Sequence, residues 1–193
     1  MATQLLKSTV IVGQMTLLSR FFGFFRDLVI ARLFGASMEA DAFFVAFRIP
    51  NLFRRFFAEG AFAQSFVPVL SETREKGGVE AVGNLINAVC GTLTVILGFV
   101  VLVGVAAAPG IILIFAPGFV DEVGKMDLAS ELLRFTFPYL ALISLTALAG
   151  SVLNTYGHFA VPAFSPVLLN LSLIGAALLI GPLLEKPIIS LAL

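Results

Sequence analysis

FTFPYLALISLTALAGSVLNTYGHFAVPAFSPVLLNLSLIGAALLIGPLL, residues 135–184, holds fifty consecutive positions without an Asp, Glu, Lys or Arg. A helix crosses a hydrocarbon core about 30 Å thick with roughly 20 residues. The stretch therefore has room for two crossings, with Asn154-Thr-Tyr-Gly157 as the turn between them. A second charge-free stretch runs from residue 81 to residue 120. The whole chain has the same character: 59% of its 193 residues are apolar and 12% charged, with a mean hydropathy of +1.05. Soluble domains are about 45–50% apolar and about 25% charged. One core of this size could not hide so much apolar surface, so the solvent must be lipid. The expected fold is an all-α, polytopic membrane protein.

Breaks in the pattern divide the chain into about five helices, at 5–34, 41–66, 82–115, 132–153 and 161–184. Gly35-Ala36-Ser37 ends the first, and Pro50 should bend the second. SETREKGGVE, residues 71–80, reads as a polar loop. Pro109-Gly110 should interrupt the third helix and Pro117-Gly118 close it, while residues 121–131 form an acidic connection. Glu185-Lys186-Pro187 ends the fifth helix, and the final IISLAL reads as the start of a sixth. The N-terminal Lys7 and apolar run resemble a secretory signal, but no convincing small-residue cleavage site follows, so the segment is expected to be a retained helix. Inner connections would hold Lys7, Arg74 and Lys76, and outer ones two basic residues, Lys125 and Lys186, with most of the acid (Glu39, Asp41, Asp121, Glu122, Asp127, Glu131). By the positive-inside rule the N-terminus is cytoplasmic.

Formal charge is zero, which gives no field for nucleic acid. Cys90 and His158 each stand alone, so no cysteine-based metal site, metal cluster or cofactor is expected. No nucleophile–histidine arrangement, HExxH or phosphate loop is present, and Glu72 and Glu75 read as solvated loop residues rather than acid–base catalysts. A transporter is expected, not an enzyme.

The first two helices break the apolar rule. Helix 1 contains Arg20, Arg26, Asp27 and Arg32; helix 2 carries Arg48, Arg54, Arg55 and Glu59. An ionised side chain at the bilayer centre costs about 2.5–3.5 kcal/mol on insertion scales. These groups must line water, pair with each other, or snorkel to an interface, as Arg32 and Arg48 are best placed to do. At 100° per residue, Ser19 and Arg26 share one face of helix 1, and Arg20 and Asp27 another. On helix 2, Asp41, Arg48, Asn51, Arg55 and Glu59 fall within roughly 80°. Phenylalanines such as Phe21, Phe24, Phe43 and Phe47 occupy the other sides. Two readings stand: a watery cavity in which guanidinium forks hold an anion such as a lipid-linked pyrophosphate, or a structural Arg–Glu network with helix-end snorkellers.

SRFFGFFRDLVIARLFGASMEADAFFVAFRIPNLFRRFFAEGAFAQSFVPVL, residues 19–70, closely resembles the N-terminal signature of the MurJ/MviN lipid II flippase family. APGF at 116–119, FTFPYL at 135–140 and LNTYGHFAVPAFSPVLLN at 153–170 are similar to it as well. The resemblance implies the multidrug/oligosaccharidyl-lipid/polysaccharide exporter fold, two six-helix lobes around a central cavity. This chain would be part of the N-terminal lobe, residues 1–193, truncated and inactive as a free polypeptide. The implied substrate is lipid II, the undecaprenyl-pyrophosphate-linked disaccharide-pentapeptide, moved across a bacterial inner membrane from the cytoplasmic to the periplasmic leaflet. Matching position by position, the family's cavity arginines fall on Arg20, Arg26 and Arg54, as substrate-binding residues, and its aspartate on Asp41. Asp27, Asn51, Arg55 and Glu59 match the same motifs as gating or structural residues; Glu59 can equally be a partner for Arg55. The rival expectations are an exporter of another lipid-linked oligosaccharide or of drugs, for which the arginines would be incidental, and a membrane scaffold that transports nothing.

Overall fold

The computed structural model describes residues 2–54 and 61–193, with the side chains of 9–54 and 64–193. Its elements are α1 (Ala2–Phe34), α2 (Met38–Arg54), α3 (Ala61–Ala106), α4 (Ala108–Phe115), α5 (Lys125–Thr136), α6 (Tyr139–Thr155) and α7 (Ala160–Gly175). Short 3-10 turns cover Pro117–Asp121, Gly181–Leu183 and Pro187–Leu191, and α7 continues through a π-helical turn at Ala176–Ile180. No strand occurs among the described residues. Among the described residues three segments are long and apolar enough to cross a membrane: Gln64–Ala106, Lys125–Thr155 and Ala160–Leu183. Large apolar side chains such as Phe99, Leu102, Leu142 and Leu179 are left exposed along them. This is an all-α membrane fold.

The helices join two ends of a bundle. At one end, residues of α1 (Leu33, Phe34), α2 (Met38, Glu39), α5 (Asp127, Leu128, Glu131) and the segment Glu185–Ile188 line a common cleft of about 610 Å3. At the opposite end Arg74 donates to the carbonyl of Thr155 at 3.0 Å and lies over the Tyr156 ring. Ile11 there shares a small cavity with Gly157–Val161. Among the described residues five passages run between these ends: α1, then α2 with 61–77, 79–115, 125–155 and 160–183. Glu39, Asp41, Glu122, Asp127, Glu131 and Glu185 gather at the first, acidic end together with Lys125 and Lys186; Arg74 and Lys76 stand at the other with Glu72 and Glu75.

The structure corrects the reading of residues 71–80 as a loop. They are helical up to Gly77, with Lys76 bonded to Glu72 at 2.6 Å one turn away. Only Gly78 leaves the helix, at φ 69° and ψ −165°, a region open essentially to glycine alone. The polar run is therefore the wet face of a helix, and the Gly-Gly pair is a kink. The expected fourth helix also begins earlier than its apolar run suggests: the acidic connection is helical from Lys125, and this passage then bends at Pro138, between α5 and α6. The terminal residues expected to open a sixth helix form the 3-10 turn, with Ile188 and Leu191 buried.

Packing centres on α2 against α5, and on α1 against α7. Phe43, Ile49, Leu132, Leu133, Phe137 and Leu140 are fully buried in one cluster. Pro50 lies inside α2 and has no N–H to offer the carbonyl of Ala46. Thr136 of α5 brings its hydroxyl to 3.5 Å from that oxygen, while bonding Leu132 at 3.0 Å. A glycine is required at 104, because a Cβ there would overlap the ring of Phe137.

Candidate functional site

Apolar packing sets α1 parallel to α7, and this places two polar groups together inside the bundle. Arg26 donates from Nη1 to Oδ1 of Asn170 at 2.9 Å, and from Nε and Nη2 to Oδ1 of Asp27 at 3.0 and 2.8 Å. Asn170 in turn donates to the Ser19 carbonyl at 3.0 Å. A guanidinium has no acceptor, so the Asn170 amide must present its oxygen to Arg26 and its nitrogen to Ser19. Asn170 is 6% exposed; the Arg26 side chain is 27% exposed and that of Asp27 61%. The Ser19–Arg26 face expected from helical spacing is thus the face turned to α7. Gly23 lies between them, facing the Asn170 amide.

Arg20 and Asp27 share the other face and both are exposed. Arg20 is fourteen residues from the end of α1, about 21 Å at 1.5 Å per residue, and Arg26 about 12 Å. Neither is at a helix terminus. Arg54 is half-buried in the last turn of α2, and Asn51 spends its amide on its own helix, donating to Phe47 at 2.9 Å beside Pro50. Arg32 and Arg48 are exposed. Arg55 and Glu59 lie outside the described residues.

Asp41, in the first turn of α2, stands at the acidic end and accepts from Lys125 at 3.2 Å. Lys125 also donates to Glu122 at 2.8 Å, and its ammonium lies 4.3 Å from the centre of the Phe119 ring. Close by, Lys186 donates to Glu131 at 2.9 Å, tying the end of the fifth passage to α5.

The family model for "Lipid II flippase MurJ" matches residues 30–193. Among curated relatives, a "Probable lipid II flippase MurJ" of Buchnera aphidicola subsp. Schizaphis graminum is 48% identical over 188 residues. That match covers 97% of this chain and 37% of the relative. The chain belongs to the MurJ family. The "Lipid II flippase MurJ" of Burkholderia cenocepacia is 46% identical, across 97% of this chain and 36% of its own length. A solved structure, "Lipid II flippase MurJ, inward closed conformation", superposes with a TM-score of 0.75 at 31% identity, covering 95% of this chain and 39% of that one. The chain thus spans a little over a third of the length of the relatives it matches.

Within this MurJ-family chain, two participants escape a reading of the motifs alone. Asn170 is 144 positions from Arg26. Its signal is chemical: away from the turn at Asn154 it is the only carboxamide in the charge-free stretch 135–184, and polar groups at membrane depth are kept for partners. Lys125, read as one more charge of an outer connection, is 6% exposed and holds Asp41. Among the described residues no group of three or more His, Cys, Asp or Glu could hold a metal ion.

Proposed function

We propose that this chain is the first five passages of a flippase that moves lipid II, or a closely similar undecaprenyl-pyrophosphate-linked saccharide, from the cytoplasmic to the periplasmic leaflet of a bacterial inner membrane. Transport is proposed for the chain together with the remaining two thirds that its relatives possess. The activity is carriage without a covalent step, so the protein is a transporter and not a catalyst.

The observation that carries this reading is the exposed Arg20–Asp27 face, well inside a membrane-length helix, beside the half-exposed guanidinium of Arg26. Charges at that depth are too costly to face hydrocarbon and must border water or another part of the full protein. A wet chamber lined with arginine suits a pyrophosphate, because each fork offers parallel hydrogen bonds and keeps its charge at any depth. Arg20, Arg26 and Arg54 would hold the anion from the cytoplasmic side. Asn170 and Asp27 fix the direction of Arg26, and Asp27 keeps its charge compensated while the chamber is empty. Asn51 supports the bend of α2, whereas Arg55 and Glu59 enter only through their place in the motif.

Asp41 would serve the gate at the far side, away from the anion that its charge would repel. The acidic end is then periplasmic, and the end with Arg74, Lys76 and the N-terminus cytoplasmic, the side that positive-inside sorting favours by Lys7, Arg74 and Lys76 against Lys125 and Lys186. Rocking of one lobe against the other would expose the chamber to each leaflet in turn.

The test is complementation of a flippase-depleted bacterium by the full-length gene, with lipid II exposure on the outer leaflet as readout. Arg20→Ala and Arg26→Ala should abolish exposure at unchanged membrane level, and Arg26→Lys should restore little, since the fork is lost. Normal export by either alanine variant would remove the basis of the anion chamber.

A further inference from the structure

Among the described residues Lys125 is the only charged side chain that is buried. Its ammonium has three neighbours, and they are distributed unequally. Glu122, at 2.8 Å, and the Phe119 ring, at 4.3 Å, belong to the turn that leads into α5. Asp41, at 3.2 Å, belongs to α2 and is the only one of the three contributed by another passage. Burial is unequal too: the Lys125 side chain is 6% exposed, whereas Asp41 is 70% exposed and Glu122 52%.

We infer that Lys125 is a positioning residue for Asp41, and that Asp41, Lys125 and Glu122 form an exchangeable latch between the first turn of α2 and the 117–125 turn. The inference rests on the proposed transport cycle, in which the acidic end opens and closes.

A buried ammonium stripped of its only counter-ion is strongly unfavourable, and a pair built that way acts as a permanent brace. Here the loss of Asp41 leaves Lys125 bonded to Glu122 and resting on Phe119, a cation–π contact that moves with it. Asp41, already facing water, regains hydration with little rearrangement. The cross-passage bond can therefore break and re-form while the cation stays satisfied. Release would free the tip alone: Ala42, Phe43 and Ala46 of α2, with Leu132 and Leu133 of α5, remain in the buried cluster. Gly124, at a φ of 80°, leads directly into Lys125 and lines the cleft of about 610 Å3 at this end. The latch thus sets the position of that cleft's rim.

The two carboxylates compete for one ammonium, and this gives the latch a signature that a brace lacks. The experiment uses the full-length protein in lipid nanodiscs, with Cys90→Ser and spin labels at Met38→Cys and Val123→Cys, both exposed positions, and reads their distance distribution by pulsed electron resonance. Asp41→Asn and Lys125→Met should shift the distribution to longer distances. Glu122→Gln should do the opposite and enrich the short distance, because Asp41 then holds the ammonium without a rival. Lys125→Arg should keep the wild-type distribution, which controls for folding. If Glu122→Gln lengthens the distance as Asp41→Asn does, or if all four variants match the wild type, the latch is refuted. The readout needs no lipid II, so a failed complementation assay leaves it standing, and the reverse also holds.

Discussion

Replacing Asn170 by Ala removes the side chain whose hydrogen bonds join α7 to Ser19 and Arg26 of α1. Two bonds disappear, Arg26 Nη1 to Oδ1 at 2.9 Å and Nδ2 to the Ser19 carbonyl at 3.0 Å. They are unequal. The Ser19 oxygen lies within α1 and keeps its helical bond, whereas Arg26 loses a charge-assisted contact and keeps only Asp27. Charge-assisted bonds contribute about 1.5–3 kcal/mol in soluble proteins, but polar pairs between membrane helices average about 0.6 kcal/mol and reach about 1.7. The Arg26–Asn170 pair belongs near the upper membrane figure, since Asn170 is buried and one partner is ionised. Asn170→Ala should therefore destabilise the full-length protein by about 1–2.5 kcal/mol, and the cycle with Arg26→Ala should give a coupling of about 1–1.5 kcal/mol. Reversible unfolding in mixed micelles, titrated with denaturing detergent, measures both. Asn170→Asp keeps the acceptor and adds opposite charge, so it should retain the coupling while losing only the Ser19 bond. A coupling near zero, with Asn170→Asp no better than Asn170→Ala, would mean that α1 and α7 do not meet through these groups in the membrane.

Two backbone predictions follow from the glycines. Gly104→Ala sets a Cβ inside the ring of buried Phe137, 2.6 Å from Cδ1, and should cost about 1–3 kcal/mol as overpacking; thermal denaturation in detergent should show the loss, with partial recovery in Gly104→Ala/Phe137→Leu. Gly78→Ala meets no atom within 4 Å, so its whole cost, about 1–3 kcal/mol, comes from the φ of 69°. Gly98→Ala, equally unobstructed and at a helical φ, should instead be neutral or stabilising by up to about 1 kcal/mol in the same melt. Equal effects at 78 and 98 would show that the kink is absent.

The helical passages were legible because lipid enforces one rule along the chain: apolar runs of sufficient length must be helices with no unsatisfied backbone. The rule fails where water takes over. Residues 71–77 are polar and glycine-flanked, which reads as a loop, but Glu72, Glu75, Arg74 and Lys76 are competent helix formers, and the helix simply continues into the aqueous layer. The acidic connection hid the start of α5 in the same way: Lys125, Asp127 and Glu131 conceal an apolar stripe whose Leu128, Leu132 and Leu133 are buried. Hydropathy measures how long a segment dwells in lipid, and it says little about where a helix begins beyond it.

The charged residues divide along a related line. Spacing on α1 separated a Ser19–Arg26 face from an Arg20–Asp27 face, because local helical geometry alone fixes which residues share a side. What Arg26 of α1 and Asp41 of α2 meet depends on pairings 144 and 84 positions distant, with Asn170 and Lys125, and no local pattern encodes those. In a medium that hydrates nothing, however, each buried polar group needs a partner, so an isolated Asn or Lys in an apolar passage is itself a statement that another polar group lies opposite. The single carboxamide deep in residues 135–184 signals that a polar partner lies opposite, and the structure identifies that partner as Arg26. The half-exposed Arg26, bonded on one edge to Asp27 and Asn170, is then directed by its neighbours and still accessible. An anion-binding group in a membrane needs both properties.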